Sequence, residues 1–499
     1  MLFNSINFLI FFPIVTFIYF IIPYKVRYIW LLLASYFFYM SWNPLYALLM
    51  LTSTTITYIS GLLIDKAHNS SPRLVFKYDI KKIYVAISVV LNIAILFYFK
   101  YFYFAIENIN AVLTAFNITL ITPKFDIILP VGISFYTFQA LGYTIDIYRQ
   151  EVKAERNFLR YALFVSFFPQ LIAGPIERSK NLLIQLNQKH DFNYDRMRDG
   201  LLLMLFGYFL KMVIADRAAI MVNFVFDNYE AFTGFQIAIG VVAFAVQIYG
   251  DFAGYSAIAI GAAQVMGFTL IQNFNHPYFA NSIQDYWNRW HISLSTWLRD
   301  YVYLPLAFSG KKMTNLRNYM SIFITFFISG LWHGASWNFV LWGTLHGIYL
   351  IIGKIIRPYR KKFNKFFKIN TKTFSYNLFN IIITFILVNF GYLIFRAPNL
   401  YTAIEMFKNL FAEWNPWIFF DGSLYKMGLD RDDFWVLVFS TFILWAISMM
   451  QERFKIREKL AEQSILFRWT IYCIAIFYIL TFGIYGPEYD ATQFIYFQF

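Results

Sequence analysis

The chain carries one cysteine, Cys473, in 499 residues, and that cysteine lies inside an apolar run. A single thiol excludes disulfides within the chain and metal centres built on cysteine. Charge is scarce too: Asp, Glu, Lys and Arg make up 14% of the residues against 59% hydrophobic ones. No polar block is much longer than about forty residues, well below the usual size of a soluble domain. Internal repeats, Gly/Ser-rich linkers and a lipobox cysteine are missing. A cleavable signal peptide is not expected, because the first apolar segment has no basic region before it and runs into "PYKVR" without a small-residue cleavage site. GxSxG, P-loop, GxGxxG and HExxH patterns are absent. Their absence disfavours a serine hydrolase, a nucleotide-driven pump, a dinucleotide enzyme and a zinc peptidase. No metal is expected: a zinc site from His291, His333 and His346 has no supporting spacing.

What the chain does have is apolar stretches near bilayer length from end to end, at positions such as 7–23, 45–64, 83–106, 236–249, 253–270, 337–356, 374–395 and 466–484. The fold class is all-α and polytopic. Roughly 11–13 membrane helices are expected, with re-entrant pieces in the middle of the chain where several stretches are too short or too polar to cross. The 22% aromatic content suits lipid packing and interfacial belts.

The net charge of +14 collects between spans rather than on a nucleic-acid-binding face. Lys354, Arg357, Arg360, Lys361, Lys362, Lys365, Lys368 and Lys372 fill one connection, and Arg453, Lys455, Arg457, Lys459 and Arg468 another. Lys66, Arg73, Lys77, Lys81 and Lys82 mark a third. The positive-inside rule places all three in the cytoplasm and both chain ends outside. Basic loops of this kind suit anionic lipid, and also an anionic nucleotide cosubstrate.

Polar residues inside membrane segments are costly, so their clustering points to function. They concentrate in 247–300 and again in "GLWHGASWNFVLWGTLHG", 330–347. Six of the 13 tryptophans fall between 287 and 342, which suggests a walled, partly wet cavity there. Across 285–301, helical spacing puts His291, Ser295 and Arg299 on one face and Trp290, Leu294 and Trp297 on another. Such a helix either lines a cavity or lies at the interface. His333 stands between Gly330 and Gly334, which let helices or substrate approach closely. It fits a general base, and equally a buried histidine bonded to a carbonyl. His346 lies about 220° from His333 around an ideal helix and reads as structural. Asp251 is a carboxylate in or near the membrane with Arg289 or Arg299 as its expected partner. "PQLIAGPIERSK", 169–180, reads as a re-entrant turn or a simple loop.

The run "NFNHPYFANSIQDYWNRWHISLSTWLRDYVYLPL" followed by "GLWHGASWNFVLWGTLHG" resembles the membrane-bound O-acyltransferase (MBOAT) family. "LPVGISFYTFQALGYTIDIYR", "FFPQLIAGPIER", "FGYLIFRAP" and the terminal "FIYFQF" extend the resemblance over nearly the whole chain, to the AlgI-type branch that acetylates alginate, peptidoglycan or cellulose. Ala257 departs from it, standing where relatives often carry an acid.

The resemblance implies one membrane-embedded acyltransferase domain over 1–499, with the family core at about 120–350 and added helices at 374–484. It implies a tunnel and two characteristic histidines: the WHG motif maps the catalytic one onto His333, and WNRWH maps the second onto His291. Trp332, Trp337, Asn338, Asn288, Arg289, Ser295 and Asp251 are the expected lining, with Asn338 as a possible oxyanion donor. The implied reaction moves an acetyl group from cytoplasmic acetyl-CoA across a bacterial inner membrane for O-acetylation of an extracytoplasmic polysaccharide. Acetyl-CoA is a cosubstrate, with no bound cofactor. Delivery is expected through an exported SGNH-type acetyltransferase, and membrane lipids are the other partners. D-alanyl transfer to teichoic acid is the alternative within the family, and a polysaccharide or lipid transporter the alternative from another class.

Overall fold

The computed structural model describes residues 1–70, 74–75, 78–123, 127, 129–172, 174–310 and 313–485. The terminal "FIYFQF", and Arg73 and Lys77 of the first basic loop, lie outside the described residues. By compactness the chain divides into two units, Met1–Leu201 with Ala259–Ile271, and Leu202–Ile258 with Gln272–Phe499.

The fold is helical, with one two-residue antiparallel pair, Leu74–Val75 with Tyr78–Asp79, among the described residues. In the first unit the main helices are α1 (Ile6–Ile21), α2 (Tyr24–Met40), α3 (Pro44–His68), α4 (Ile80–Ala115), α5 (Ile133–Tyr148) and α6 (Phe158–Ser166). Local sequence sets their ends. Ser5 caps α1 by accepting from Phe8 N, and Pro23 stops it. Asn43 caps α3 with Pro44 in the first turn.

The later elements are α7 (Tyr194–Tyr208), α8 (Gly234–Met266), α9 (Ile283–Arg289), α10 (Ile292–Leu298), α11 (Asn315–His333), α12 (Trp337–Phe366), α13 (Phe374–Arg396), α14 (Arg431–Gln451) and α15 (Ile465–Phe482). Among the described residues seven helices are long and apolar enough to cross a membrane: α3, α4, α8, α12, α13, α14 and α15. The chain is therefore a multi-pass membrane protein.

The stretches 236–249 and 253–270, expected as separate spans, are largely one 33-residue helix, α8. The polar break read at Gly250 and Asp251 is absorbed by packing. Lys211 Nζ, in the wide turn Phe209–Ala215, stands 2.7 Å from Asp251 Oδ1 and 2.7 Å from Asp216 Oδ1, all three side chains buried. Gly207 and Gly254 meet with nothing between them: a Cβ on Gly254 would lie 2.8 Å from the Gly207 carbonyl oxygen. An ammonium delivered at this range lets an apolar helix keep a carboxylate without unwinding. The expected partners of Asp251 are corrected accordingly. Arg289 pairs with Asp285 and Glu452, at 3.1 and 2.9 Å, and Arg299 with Asp300 at 2.7 Å.

The "AGPIER" stretch buries Glu177, which accepts from Ile271 N at 2.5 Å and from Asn181 Nδ2 at 2.7 Å. Burial pushes this carboxyl from its usual 4.5 up to about 7, against the pull of those bonds.

Two outcomes follow from these buried acids. A carboxyl whose folded pKa is raised binds its proton better when folded, so stability falls as pH climbs from about 4.5 to about 7 and is level beyond. Glu177→Gln is expected to flatten that part of the curve, read as melting temperature against pH in detergent. Lys211→Met leaves two buried carboxylates without their cation and should cost about 3–5 kcal/mol, seen as a large loss of folded protein in a thermal melt.

Candidate functional site

The site is built on the turn between α11 and α12. Thr314 caps the first helix, and Ser336 the second by accepting from Asn338 N. The helices run back to back on glycine. A Cβ on Gly330 would collide with the Phe339 carbonyl, one on Gly343 with the Phe326 carbonyl, and one on Gly334 with the Phe339 ring. Without side chains at these points the two backbones touch.

This packing puts His333, the last residue of α11, into a box of rings. Trp332, Trp342 and Phe395 meet the imidazole edge-to-face at centroid distances of 5.0, 4.9 and 5.5 Å. The side chain is 4% exposed. Trp342 also touches His346 at 5.0 Å, so one indole separates the two histidines. The 220° angle that set them apart assumes an unbroken helix, and Gly334–Ser336 breaks it. Trp287 Nε1 donates to His346 Nδ1 at 3.3 Å, and His346 Nε2 faces the bare backbone of Gly391.

His291 approaches from the other side. The amphipathic helix expected over 285–301 is two short helices, α9 and α10, with His291 between them in the left-handed region at φ 43°. His291, Ser295 and Arg299 therefore do not form one stripe: His291 is fully buried while Arg299 is exposed. Asn273 fixes the break. Its carbonyl oxygen Oδ1 accepts from Ser293 Oγ at 2.7 Å and lies 3.3 Å from His291 Nδ1, and its Nδ2 donates to Ser256 Oγ at 2.9 Å. With Nδ1–H directed to Asn273, the ring presents Nε2 as an acceptor. Phe252 packs on His291 at 4.6 Å, and Trp332 reaches it at 5.8 Å. His291, Trp332, His333, Trp342, His346 and Trp287 thus form one continuous chain of rings.

The remaining expected residues separate. Asn288 and Ser295 line a cavity of about 440 Å³ with Trp287, Arg299, Ser329 and Lys354. Ser329 is one helical turn before His333, so the inner wall of the cavity backs onto the histidine box. Trp337 is half exposed. Asn338 is buried, and its amide donates to the Ala397 carbonyl at 2.5 Å, tying α12 to the end of α13. Arg289 and Asp251 hold the ion pairs described above and do not line the cavity. Trp287, Trp342, Phe395 and Asn273 join the site without having been singled out. Their only signal was the density of tryptophan and the "FGYLIFRAP" match. Among the described residues no group of three His, Cys, Asp or Glu side chains is placed to hold a metal ion.

Comparison with known proteins gives this multi-pass helical protein its class, a membrane-bound acyltransferase, and its family. The family profile for membrane-bound O-acyltransferases, MBOAT, matches residues 148–396. The chain is 37% identical over 416 residues to the probable alginate O-acetylase AlgI of Pseudomonas syringae pv. tomato, covering 83% of this chain and 75% of that one. It is 36% identical over 408 residues to the peptidoglycan O-acetyltransferase of Helicobacter pylori, covering 77% and 73%. To the teichoic acid D-alanyltransferase of Bacillus subtilis it is 30% identical over 286 residues, covering 55% and 70%. The chain belongs to the MBOAT family.

Gly330→Ala tests the packing on which the site rests. The added methyl forces α11 from α12 at a cost of about 1–3 kcal/mol, and the melting temperature in detergent should drop accordingly.

Proposed function

We propose that the chain transfers an acetyl group from acetyl-CoA to a hydroxyl acceptor, with His333 as general base. The observation that carries this reading is the box of rings around His333, joined through Trp342 to Trp287, which lines the 440 Å³ cavity, with Ser329 of the lining one helical turn before His333. Arg299 and Lys354 on the cavity lining suit the phosphates of a coenzyme A entering from the face assigned to the cytoplasm by the basic loops.

In the reaction, His333 takes the hydroxyl proton as the oxygen attacks the thioester carbonyl. The carbon–sulfur bond breaks as the carbon–oxygen bond forms. The thiolate leaves and recovers a proton from the imidazolium, so the histidine is regenerated. Trp332 and Trp342 hold the ring, and His291, oriented by Asn273, supports Trp332 from behind. Asn338 gives one of its two amide N–H donors to the Ala397 carbonyl, which fixes the side chain in place beside the turn.

The acetyl group is destined for an extracytoplasmic polysaccharide, peptidoglycan or an alginate-like polymer, in a bacterial inner membrane, with an exported SGNH-type acetyltransferase completing delivery. The acetylating relatives, similar over 77–83% of the chain, support acetyl over D-alanyl transfer, for which the relative covers 55%.

His333→Ala, expressed to the wild-type level, is expected to lose transfer from radiolabelled acetyl-CoA by about 100-fold or more. Unchanged transfer would remove His333 from the chemistry. Transfer from a D-alanylated carrier protein but not from acetyl-CoA would reassign the donor.

A further inference from the structure

A second polar cavity, of about 360 Å³, lies in the first unit at the turn from α1 to α2, lined by Tyr19, Lys25, Arg27, Tyr28, Arg160 and Gln188 among others. Three of its lining residues are cations, and none is matched by an acid. Arg27 gives three of its five N–H donors to the carbonyls of Ile22, His190 and Phe20, at 3.2, 2.7 and 3.3 Å, and lays its guanidinium over the Tyr19 ring at 5.0 Å. Arg160 donates to Asn187 Oδ1 at 2.7 Å and covers Tyr28 at 5.0 Å, while its Nε is shut from solvent with no acceptor. Lys25 is exposed at the rim. Arg196 lies nearby on α7, bonded to the Asp191 carbonyl and likewise with a buried, unmatched Nε. The neighbouring acids are engaged elsewhere: Asp191 pairs with Lys189 at 2.8 Å, and Glu155 accepts from Asn157 N and Asn187 Nδ2. Among the described residues no carboxylate lies within ion-pair distance of Lys25, Arg27, Arg160 or Arg196.

A partly enclosed pocket with converging guanidinium and ammonium groups, tyrosines and, among the described residues, no carboxylate in ion-pair contact suits an anion with several acceptor oxygens. Its surroundings say where that anion comes from. Phe17, Ile21, Val26 and Phe192 around the same turn are exposed at 68, 65, 42 and 58%, an apolar surface that a spanning protein presents to lipid chains. We propose that this pocket binds the phosphate of an anionic phospholipid, with Lys25, Arg27 and Arg160 on the headgroup and the acyl chains along the exposed side of α1. The turn lies at the end of the unit that the basic residues assign to the cytoplasm, so the lipid belongs to that leaflet.

The test reconstitutes the full chain in nanodiscs of phosphatidylglycerol and phosphatidylethanolamine and counts retained lipids by native mass spectrometry after mild extraction. Wild type is expected to keep phosphatidylglycerol selectively. Lys25→Gln and Arg160→Gln should each lower that retention about fivefold, the factor expected for one basic residue at an anionic surface. Lys25→Arg should retain it, which separates loss of charge from loss of fold. Displacement by millimolar inorganic phosphate would keep the phosphate site and give it a soluble ligand. Equal retention by wild type and the double Gln variant, or no phosphate-bearing molecule held by either, overturns the proposal.

Discussion

The site depends on the contact of two helix backbones at Gly330 and Gly343. Between helices in lipid the hydrophobic effect offers little drive to associate, so van der Waals contact at close approach must supply it. Glycine gives that approach, and the geometry of the rings follows. With α11 and α12 touching, the chain can reverse over Gly334–Ser336, and Trp342 is carried back alongside His333, 4.9 Å between ring centres. Larger residues at either glycine would separate the helices before the rings could meet. The glycines flanking the histidine are thus the means by which the imidazole acquires walls, in addition to any room they leave for substrate.

Much of the helical architecture was readable because hydropathy is local. Each long apolar run forms its own backbone hydrogen bonds, as lipid demands, whatever its neighbours do. What could not be read is where a polar break is cancelled from a distance. Asp251 looked like the end of a span because Lys211, its cation, is far away in sequence; once the two meet at 2.7 Å, the helix continues through. The reverse happened at His291. Apolar spacing on both sides suggested one helix, but Asn273 holds a left-handed residue there with side-chain bonds that periodicity cannot reveal.

The histidines show the same division. Motif and spacing drew attention to His333 and His291, and both are buried on Trp332. His346 was set aside by an angle valid only for a straight helix, while the fold brings both histidines onto Trp342, with ring centroids 4.9 and 5.0 Å away. The polar residues chosen for adjacency fared differently according to what else they could bond. Asn288 and Ser295 face a cavity, whereas Asn338 is tied to the Ala397 carbonyl and Arg289 to two carboxylates. Whether a polar side chain is available for chemistry depends on competing partners, and those are fixed only by tertiary structure.

The ring walls also bear on the chemistry. A base working away from water must carry a positive charge for the moment between taking a proton and returning it. Aliphatic walls would oppose that charge, and a fixed carboxylate would stabilise it so well that the proton would be slow to leave. Aromatic rings lie between these extremes: their quadrupoles attract a cation by about 0.5–2 kcal/mol without neutralising it. Three rings, Trp332, Trp342 and Phe395, surround His333, and the same two indoles lead on to His291 and His346. This accounts for tryptophan in positions where leucine would pack as well. Lys211 shows the other device in the same chain, a buried cation matched by two carboxylates.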